Sequence, residues 1–208
     1  MNTATYLIGT DEVGRGPLAG PVVAAACVLG APQPWHAGLA DSKTLSAKKR
    51  EMLAQRLREE STWAIAEATV AEIDAHNIRN ASLLAMHRAV MAVAEHMGLS
   101  THTPEMQATV HVVVDGNVRI PQLPLPQQAV VKADAVVPAV SAASILAKVH
   151  RDTLMAHLAQ TYPHFGWERN AGYGSAEHLA ALQHYGPTPH HRLSFAPVAE
   201  AQRNRKAA

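Results

Sequence analysis

Aromatic residues, cysteine and net charge are all scarce in this chain, and each scarcity narrows what it can be. Phe, Trp and Tyr make up 4% of its 208 residues. The core must therefore be filled by Ala, Val, Leu and Ile, which favours helices and parallel strands. The single cysteine, Cys27, excludes an internal disulfide and any multi-cysteine zinc centre. Within Ala24-Ala25-Ala26-Cys27-Val28 it reads as a buried strand residue. A net charge of +1 provides no global field, so any binding of nucleic acid must come from a local basic patch. The 13 histidines add positive charge only below about pH 6.5. No apolar run is long enough to span a bilayer. No basic segment followed by an apolar stretch marks a signal peptide. These absences predict a cytoplasmic protein with no membrane partner.

What is present is a hydrophobic content of 48%, enough to fill a real core, and a length that fits one large domain or a core with a small appendage. The expected division is a single domain over 1–208, with a core to about residue 160 and a helical C-terminal extension over about 161–208. Two apolar runs, about 4–11 and 21–29, read as an antiparallel hairpin. A helix is expected from near Ser46, a strand over about 62–70, and a long helix through Leu83, His87, Val90, Ala94 and Met97, stopped by Gly98. Val110 to Val114 and Ala129 to Val131 read as strands, and Ser141 to Gln160, residues 175–185 and the tail from Pro197 as helices. Strands and helices in this order predict an α/β fold, a mixed sheet with helices packed on it.

The most informative segment is Asp11-Glu12 followed by Gly14-Arg15-Gly16-Pro17-Leu18-Ala19-Gly20-Pro21. A strand delivers two adjacent carboxylates to its carboxyl end, and side-chain alternation lets both serve one site only where the strand is ending. Two further acids stand where apolar strands stop, Asp115 and Asp134. Alone, each fits a turn or a helix cap; together they occupy matching places at strand carboxyl ends, where open sheets gather their sites. Four converging carboxylates would raise one another's pKa unless cations intervene. Hard oxygen donors without thiolates point to Mg²⁺ or Mn²⁺, and the implied chemistry is two-metal phosphodiester hydrolysis. In the helix from Ser141, the polar residues Ser141, Ser144, Lys148, Arg151 and Asp152 fall on one stripe, read as facing a polar site.

Beyond these acids, Asp41-Ser42-Lys43, Val114-Asp115-Gly116, Lys132-Ala133-Asp134, the run from Ser141 to Asp152, Gly172-Tyr173-Gly174 and His191-Arg192-Leu193-Ser194-Phe195 occur in a fixed order. With the first motif, they make the chain closely similar to the ribonuclease HII family from residue 11 to residue 197. The resemblance implies a ribonuclease H-like fold, a five-stranded mixed sheet flanked by helices with a helical C-terminal cap. It implies endonucleolytic cleavage of the RNA strand of RNA–DNA hybrids, and nicking 5′ to single ribonucleotides in duplex DNA to leave 5′-phosphate and 3′-hydroxyl ends. By position, Asp11, Glu12, Asp115 and Asp134 match the family's catalytic metal-binding acids, which hold two ions when substrate is bound. Gly14, Arg15 and Gly16 match the loop that reads the 2′-hydroxyl, and Tyr173 the tyrosine stacking at the ribose–deoxyribose junction. Lys43, Lys148 and Arg151 are candidate phosphate contacts. One departure is Asn170-Ala171, where many relatives carry a basic residue; one phosphate contact is then either missing or supplied by Arg169. The basic tail lacks the pattern of a sliding-clamp-binding peptide, so no protein partner is implied and a monomer is expected.

Three other readings compete. A dinucleotide fingerprint must open a helix, whereas Pro21 leads into a β-rich run. A non-catalytic hybrid-binding module would not require four strand-end acids. The sister ribonuclease HIII normally carries an extra N-terminal domain, and only ten residues precede Asp11.

Overall fold

The computed structural model describes residues 6–39, 44–99 and 110–207. Five strands form one sheet in the order β3-β2-β1-β4-β5. They are β1 (Tyr6–Val13), β2 (Val22–Leu29), β3 (Ser61–Ala68), β4 (Val110–Asp115) and β5 (Gln127–Val130). β1 is antiparallel to β2 and parallel to β4, and β4 is parallel to β5. The sheet is therefore mixed and five-stranded, as expected. Its helices are α1 (Ala47–Glu60), α2 (Val70–His96) and α3 (Pro138–Thr161), and the C-terminal part adds α4 (Trp167–Asn170), α5 (Ala176–Tyr185) and α6 (Ala196–Ala207). Among the described residues no helix is long and apolar enough to cross a membrane.

Backbone contacts divide the chain into two compact units, one of residues 1–13, 23–67 and 83–149 and the other of 14–22, 68–82 and 150–208. The first unit holds the sheet. Val23, Ala25 and Cys27 from alternate positions of β2 pack with Leu53, Ala54 and Leu57 of α1 and with Ala142, Ala143, Ile145, Leu146 and Ala147 of α3. Small and branched side chains fill this core, as the low aromatic content requires. Ser46 caps α1 by accepting a hydrogen bond from the Lys49 N–H, the usual way to satisfy an orphan donor at a helix start. Cys27 is buried and its Sγ donates to Ser61 Oγ at 3.3 Å; burial pushes its thiol pKa up to about 12, which leaves it unreactive.

Six of the nine aromatic residues lie in the second unit. Phe165 and Trp167 pack with Ala19, Met155, Ala159 and Ala181, and Leu18 packs with Leu182, Val198 and Ala201. α2 is broken at Asn77, whose φ of 63° interrupts the helix; its side-chain oxygen accepts from the Asn80 N–H at 3.1 Å and restarts the helix beyond it. The tail from Ala196 is helical to Ala207.

One glycine fixes how closely a helix can approach the sheet. A Cβ on Gly9 would lie 2.2 Å from the Ala139 carbonyl carbon and 2.3 Å from the Val140 nitrogen. Backbone meets backbone there, with no flexible side chain to give way. Gly9→Ala should therefore lower stability by about 3 kcal/mol or more, read as a fall in the urea midpoint at unchanged slope. A wild-type midpoint in that variant would show that β1 and the start of α3 are not in contact.

Candidate active site

The register of the sheet places two acids side by side. Thr10 lies opposite Val114 across the parallel β1–β4 pair, so Asp11 and Asp115, the next residues, fall on neighbouring strands about 4.8 Å apart. Counting back two residues on each strand, Gly9 faces the start of α3 and Val113 packs with Ala133 and Val140. Alternation therefore puts Asp11 and Asp115 on that same face. Asp134 sits in a 3-10 turn, Ala133–Ala135, after Lys132 in the left-handed conformation. Its N–H donates to Asp115 Oδ1 at 3.4 Å, and its carbonyl accepts from the Ser141 hydroxyl at 2.6 Å. These three acids are thus gathered in the first unit, with Asp11 and Asp134 buried and Asp115 half-buried.

Asp11 carries the strain of this arrangement. Burial, then the charge of Glu12, and then that of Asp115 push its carboxyl well above the ordinary carboxylate range. Hydrogen bonds from Ser144 and from the Glu12 N–H, at 2.7 Å, work against the shift. Two members of the expected polar stripe on α3, Ser141 and Ser144, do serve these acids.

The end of β1 differs from expectation. β1 does not end at the acids: its ladder to β2 continues through Glu12↔Ala24 to Val13↔Val23. Only the pairing to β4 stops, at Thr10. Inside a strand, neighbouring side chains leave on opposite faces, yet Glu12 lies close enough for its charge to weigh on Asp11 more than that of Asp115 does. Among the described residues no group of three or more Asp, Glu, His or Cys is arranged to hold a metal ion. The donor chemistry suits a hard divalent cation; the side chains as they lie do not enclose one.

In the second unit, the glycine loop is built on two buried arginines. Arg151 donates from Nε to Pro21 O at 3.2 Å, from Nη1 to Ala171 O at 2.9 Å and from Nη2 to Ala19 O at 3.0 Å. It is 1% exposed, and a Cβ on Gly14 would strike its Nε at 2.2 Å. This corrects the sequence reading of Arg151 as a phosphate contact: its guanidinium faces inward and is spent on main-chain carbonyls. Arg192, fully buried, donates to Gly20 O at 2.9 Å, Arg15 O at 2.9 Å, and through Nη2 to Gly14 O at 2.6 Å and Pro21 O at 3.3 Å. Burial and the neighbouring charge of Arg151 lower its pKa to about 9, so it stays charged at neutral pH. Sequence reasoning missed it, because nothing in His191-Arg192-Leu193 distinguishes a buried arginine from a surface one.

Tyr173 lies against this loop, its Cε1 3.3 Å from where a Cβ on Gly16 would stand. Arg15, Gly16 and Tyr173 are exposed. The turn that carries Tyr173 is organised by Asn170, which accepts from the Gly172 N–H at 2.9 Å and donates to Phe165 O at 2.7 Å. The departure from the family pattern at this position thus has a structural role of its own. Arg169, the candidate substitute phosphate contact, pairs instead with Glu168 and Glu177. Lys148 is half-buried in the first unit, and Lys43 lies outside the described residues.

Beneath Tyr173, two histidines form a relay whose tautomers follow from one fixed donor. The Thr188 N–H donates to His191 Nδ1 at 2.9 Å, so that ring is protonated at Nε2. Nε2 then donates to His178 Nε2 at 3.0 Å, which also accepts from Trp167 Nε1 at 3.2 Å. His178 is left with its proton on Nδ1, donated to Tyr173 O at 2.8 Å. Burial lowers both pKa values, that of His191 to about 3 with help from His178.

The chain matches the family described as Ribonuclease HII over residues 8–198. A ribonuclease HII from Sphingopyxis alaskensis is 53% identical over 199 residues, spanning 96% of this chain and 93% of that one. The crystal structure of ribonuclease H2 from Pyrococcus horikoshii OT3 superposes with a TM-score of 0.70 at 26% identity, over 98% of this chain and 100% of that one. The fold is shared as well by Bst-RNase HIII, solved in complex with Mn²⁺, with a TM-score of 0.73 at 20% identity, over 100% of this chain and 72% of that one.

The histidine relay makes a pH prediction. The unfolded chain takes up protons on these rings below about pH 6.5, whereas the folded pair stays neutral further down. The stability they contribute is therefore complete above about pH 6.5 and is lost as pH falls toward 3, by up to about 1.4 kcal/mol per pH unit for one proton. The urea midpoint should drop between pH 7.5 and 5.0, and His191→Gln should flatten that dependence. An unaltered slope in the variant would remove the pair from the acid response.

Proposed function

The chain belongs to the ribonuclease HII family and is an endonuclease that hydrolyses the RNA strand of RNA–DNA hybrids; we propose that it also cuts 5′ to single ribonucleotides in duplex DNA, leaving 5′-phosphate and 3′-hydroxyl ends. The observation that carries the chemistry is the placement of Asp11 beside Asp115, one residue past the last β1–β4 pair, with the Asp134 N–H donating to Asp115. Buried like charges are costly unless neutralised. Asp11, Glu12, Asp115 and Asp134 are the residues that would hold two Mg²⁺ or Mn²⁺ ions. When bound, such ions supply Lewis-acid stabilisation of charge on the scissile phosphate.

The chain's own groups then divide the remaining work. Ser144 orients the Asp11 carboxylate, and Ser141 fixes the Asp134 turn through its carbonyl. Gly14, Arg15 and Gly16 would sense the 2′-hydroxyl, the one group that separates RNA from DNA at a single nucleotide and one that both donates and accepts hydrogen bonds. Absence of a Cβ at the two glycines lets the main chain come close to it. The exposed ring of Tyr173 would stack under the following sugar, where deoxyribose fits and an added oxygen clashes. Lys148 and Lys43 would position the duplex through its phosphates, a role we no longer give to Arg151. A non-catalytic hybrid-binding module would have no use for buried acids at the sheet's centre. The protein would act as a monomer in the cytoplasm, without a protein partner.

Asp115→Asn and Asp134→Asn should each abolish hydrolysis with Mg²⁺ or Mn²⁺ while hybrid binding stays near the wild-type level. Near-normal turnover by both variants would refute the metal assignment. Chelator should silence the wild-type enzyme on a duplex bearing one ribonucleotide. Tyr173→Ala should cost about tenfold more at that lone ribonucleotide than within a long RNA tract, the scale of one lost stacking contact. Equal losses on the two substrates would count against reading of the junction.

A further inference from the structure

We propose that Arg192 is a positioning residue for ribonucleotide recognition: by capturing the Gly14 and Arg15 carbonyls it turns the N–H groups of Arg15 and Gly16 outward as the donors that meet the 2′-hydroxyl oxygen. This rests on the reading above that the glycine loop senses that hydroxyl, and it names the groups that do the sensing.

A trans peptide is planar, with its C=O and N–H pointing in opposite directions, and no described bond in this chain is cis. Fixing one carbonyl therefore fixes the direction of the N–H of the next residue. Arg192 holds Gly14 O at 2.6 Å and Arg15 O at 2.9 Å. The peptides so fixed carry the N–H groups of Arg15 and Gly16, which must point away from the buried guanidinium, on residues that are themselves exposed. Gly14 has a φ of 93°, a conformation open to glycine at little cost, and through it the chain enters the two fixed peptides. Successive N–H groups converging in this way make a concave donor site for oxygen.

Arg192 is itself held in place. It bonds Gly20 O and Pro21 O with its remaining reach, so the two ends of the loop close on one guanidinium. The following residues are tied to α2, where Asp74 accepts from the Leu193 and Ser194 N–H groups at 3.0 and 2.9 Å. Arg151 bonds a different set of carbonyls, those of Ala19, Pro21 and Ala171, whose peptides carry the N–H groups of residues 20, 22 and 172. Orientation of the Gly14-Arg15-Gly16 donors thus falls to Arg192. Lysine cannot replace it, because a compact ammonium on a flexible stem lacks the rigid fork that spans carbonyls on both ends of the loop.

The test is a ratio of affinities measured in chelator, so that nothing is cleaved: that for a duplex with one ribonucleotide over that for the same duplex in all-DNA form. Arg192→Lys should reduce the wild-type ratio about tenfold, the scale of one or two lost hydrogen bonds, with affinity for the all-DNA duplex unchanged. Leu182→Ala, a cavity in the same unit, should lower thermal stability and leave the ratio alone, as a merely structural residue would. A folded Arg192→Lys protein with the wild-type ratio overturns the inference. Should that variant fail to fold, the wild-type backbone amide resonances of Arg15 and Gly16 decide: they should shift with the ribonucleotide duplex and not with its all-DNA counterpart. Identical responses to both would equally overturn it. A wild-type ratio of one would instead overturn the reading of the loop itself.

Discussion

The parallel register of β1 on β4 is the constraint on which the acidic centre depends. With Thr10 opposite Val114, Gly9 and Asp11 share a face with Val113 and Asp115. A slip of one residue would exchange these for their neighbours and send every side chain to the other face. Burial prevents the slip. Val113 must stay with Ala133 and Val140, and only Gly9 on β1 can accept the backbone of Ala139 and Val140 so closely. Apolar packing two residues away thus sets where two carboxylates stand. The acids need no favourable interaction of their own to be brought together.

A different problem is solved in the glycine loop. A turn that presents N–H groups to a ligand must send the matching carbonyls inward, where each would cost about 1–3 kcal/mol if left without a donor. Arg151 and Arg192 supply those donors, with three and four hydrogen bonds to main-chain carbonyls respectively. Burying a guanidinium is itself expensive, which is visible in the lowered pKa of Arg192. An apolar residue of similar volume would escape that expense and orphan the carbonyls. Arginine is suited to the role because one planar fork reaches several acceptors and is less strongly hydrated than an ammonium.

Much of the fold was legible in the sequence because apolar periodicity is a local property. The strands around Ile8, Cys27 and Val112, the helix begun at Ser46 and the stop at Gly98 all lie where pattern and punctuation put them. The kink at Asn77 left no signal, since asparagine in a helix is ordinary until its φ is known. The site was legible to the extent that it depends on strand order: Asp115 at the end of β4 follows directly. It was less legible where it depends on which pairing ends first. Asp11 and Glu12 sit past the end of the ladder to β4 and inside the ladder to β2, a distinction no single-strand pattern carries. Least legible were the side chains that turn inward. Helical spacing grouped Ser141, Ser144, Lys148 and Arg151 in one stripe. Spacing reports direction around a helix axis and says nothing of what lies opposite, and Arg151 meets carbonyls where a phosphate was expected. The role of Arg192 depends on carbonyls at least 171 residues away in sequence, and those of His178 and His191 on how the chain between Trp167 and His191 folds back on itself.

If the acids hold a metal ion as proposed, protonation and cation binding would compete at Asp11. Its carboxyl is held well above the ordinary range mainly by burial, and then by the charges of Glu12 and Asp115. A cation between these acids would reverse the sign of the local field, and the carboxylate would become the favoured form. Such a cation would favour the loss of any proton that the carboxyl carries. The same burial that makes Asp11 a reluctant anion would strengthen its hold on a cation, because little water is left to screen the attraction. Ser144 is matched to both conditions, since a hydroxyl can donate to the carboxylate or accept from the protonated acid. The apolar packing around β1 thus positions the acid and tunes its charge by one and the same burial.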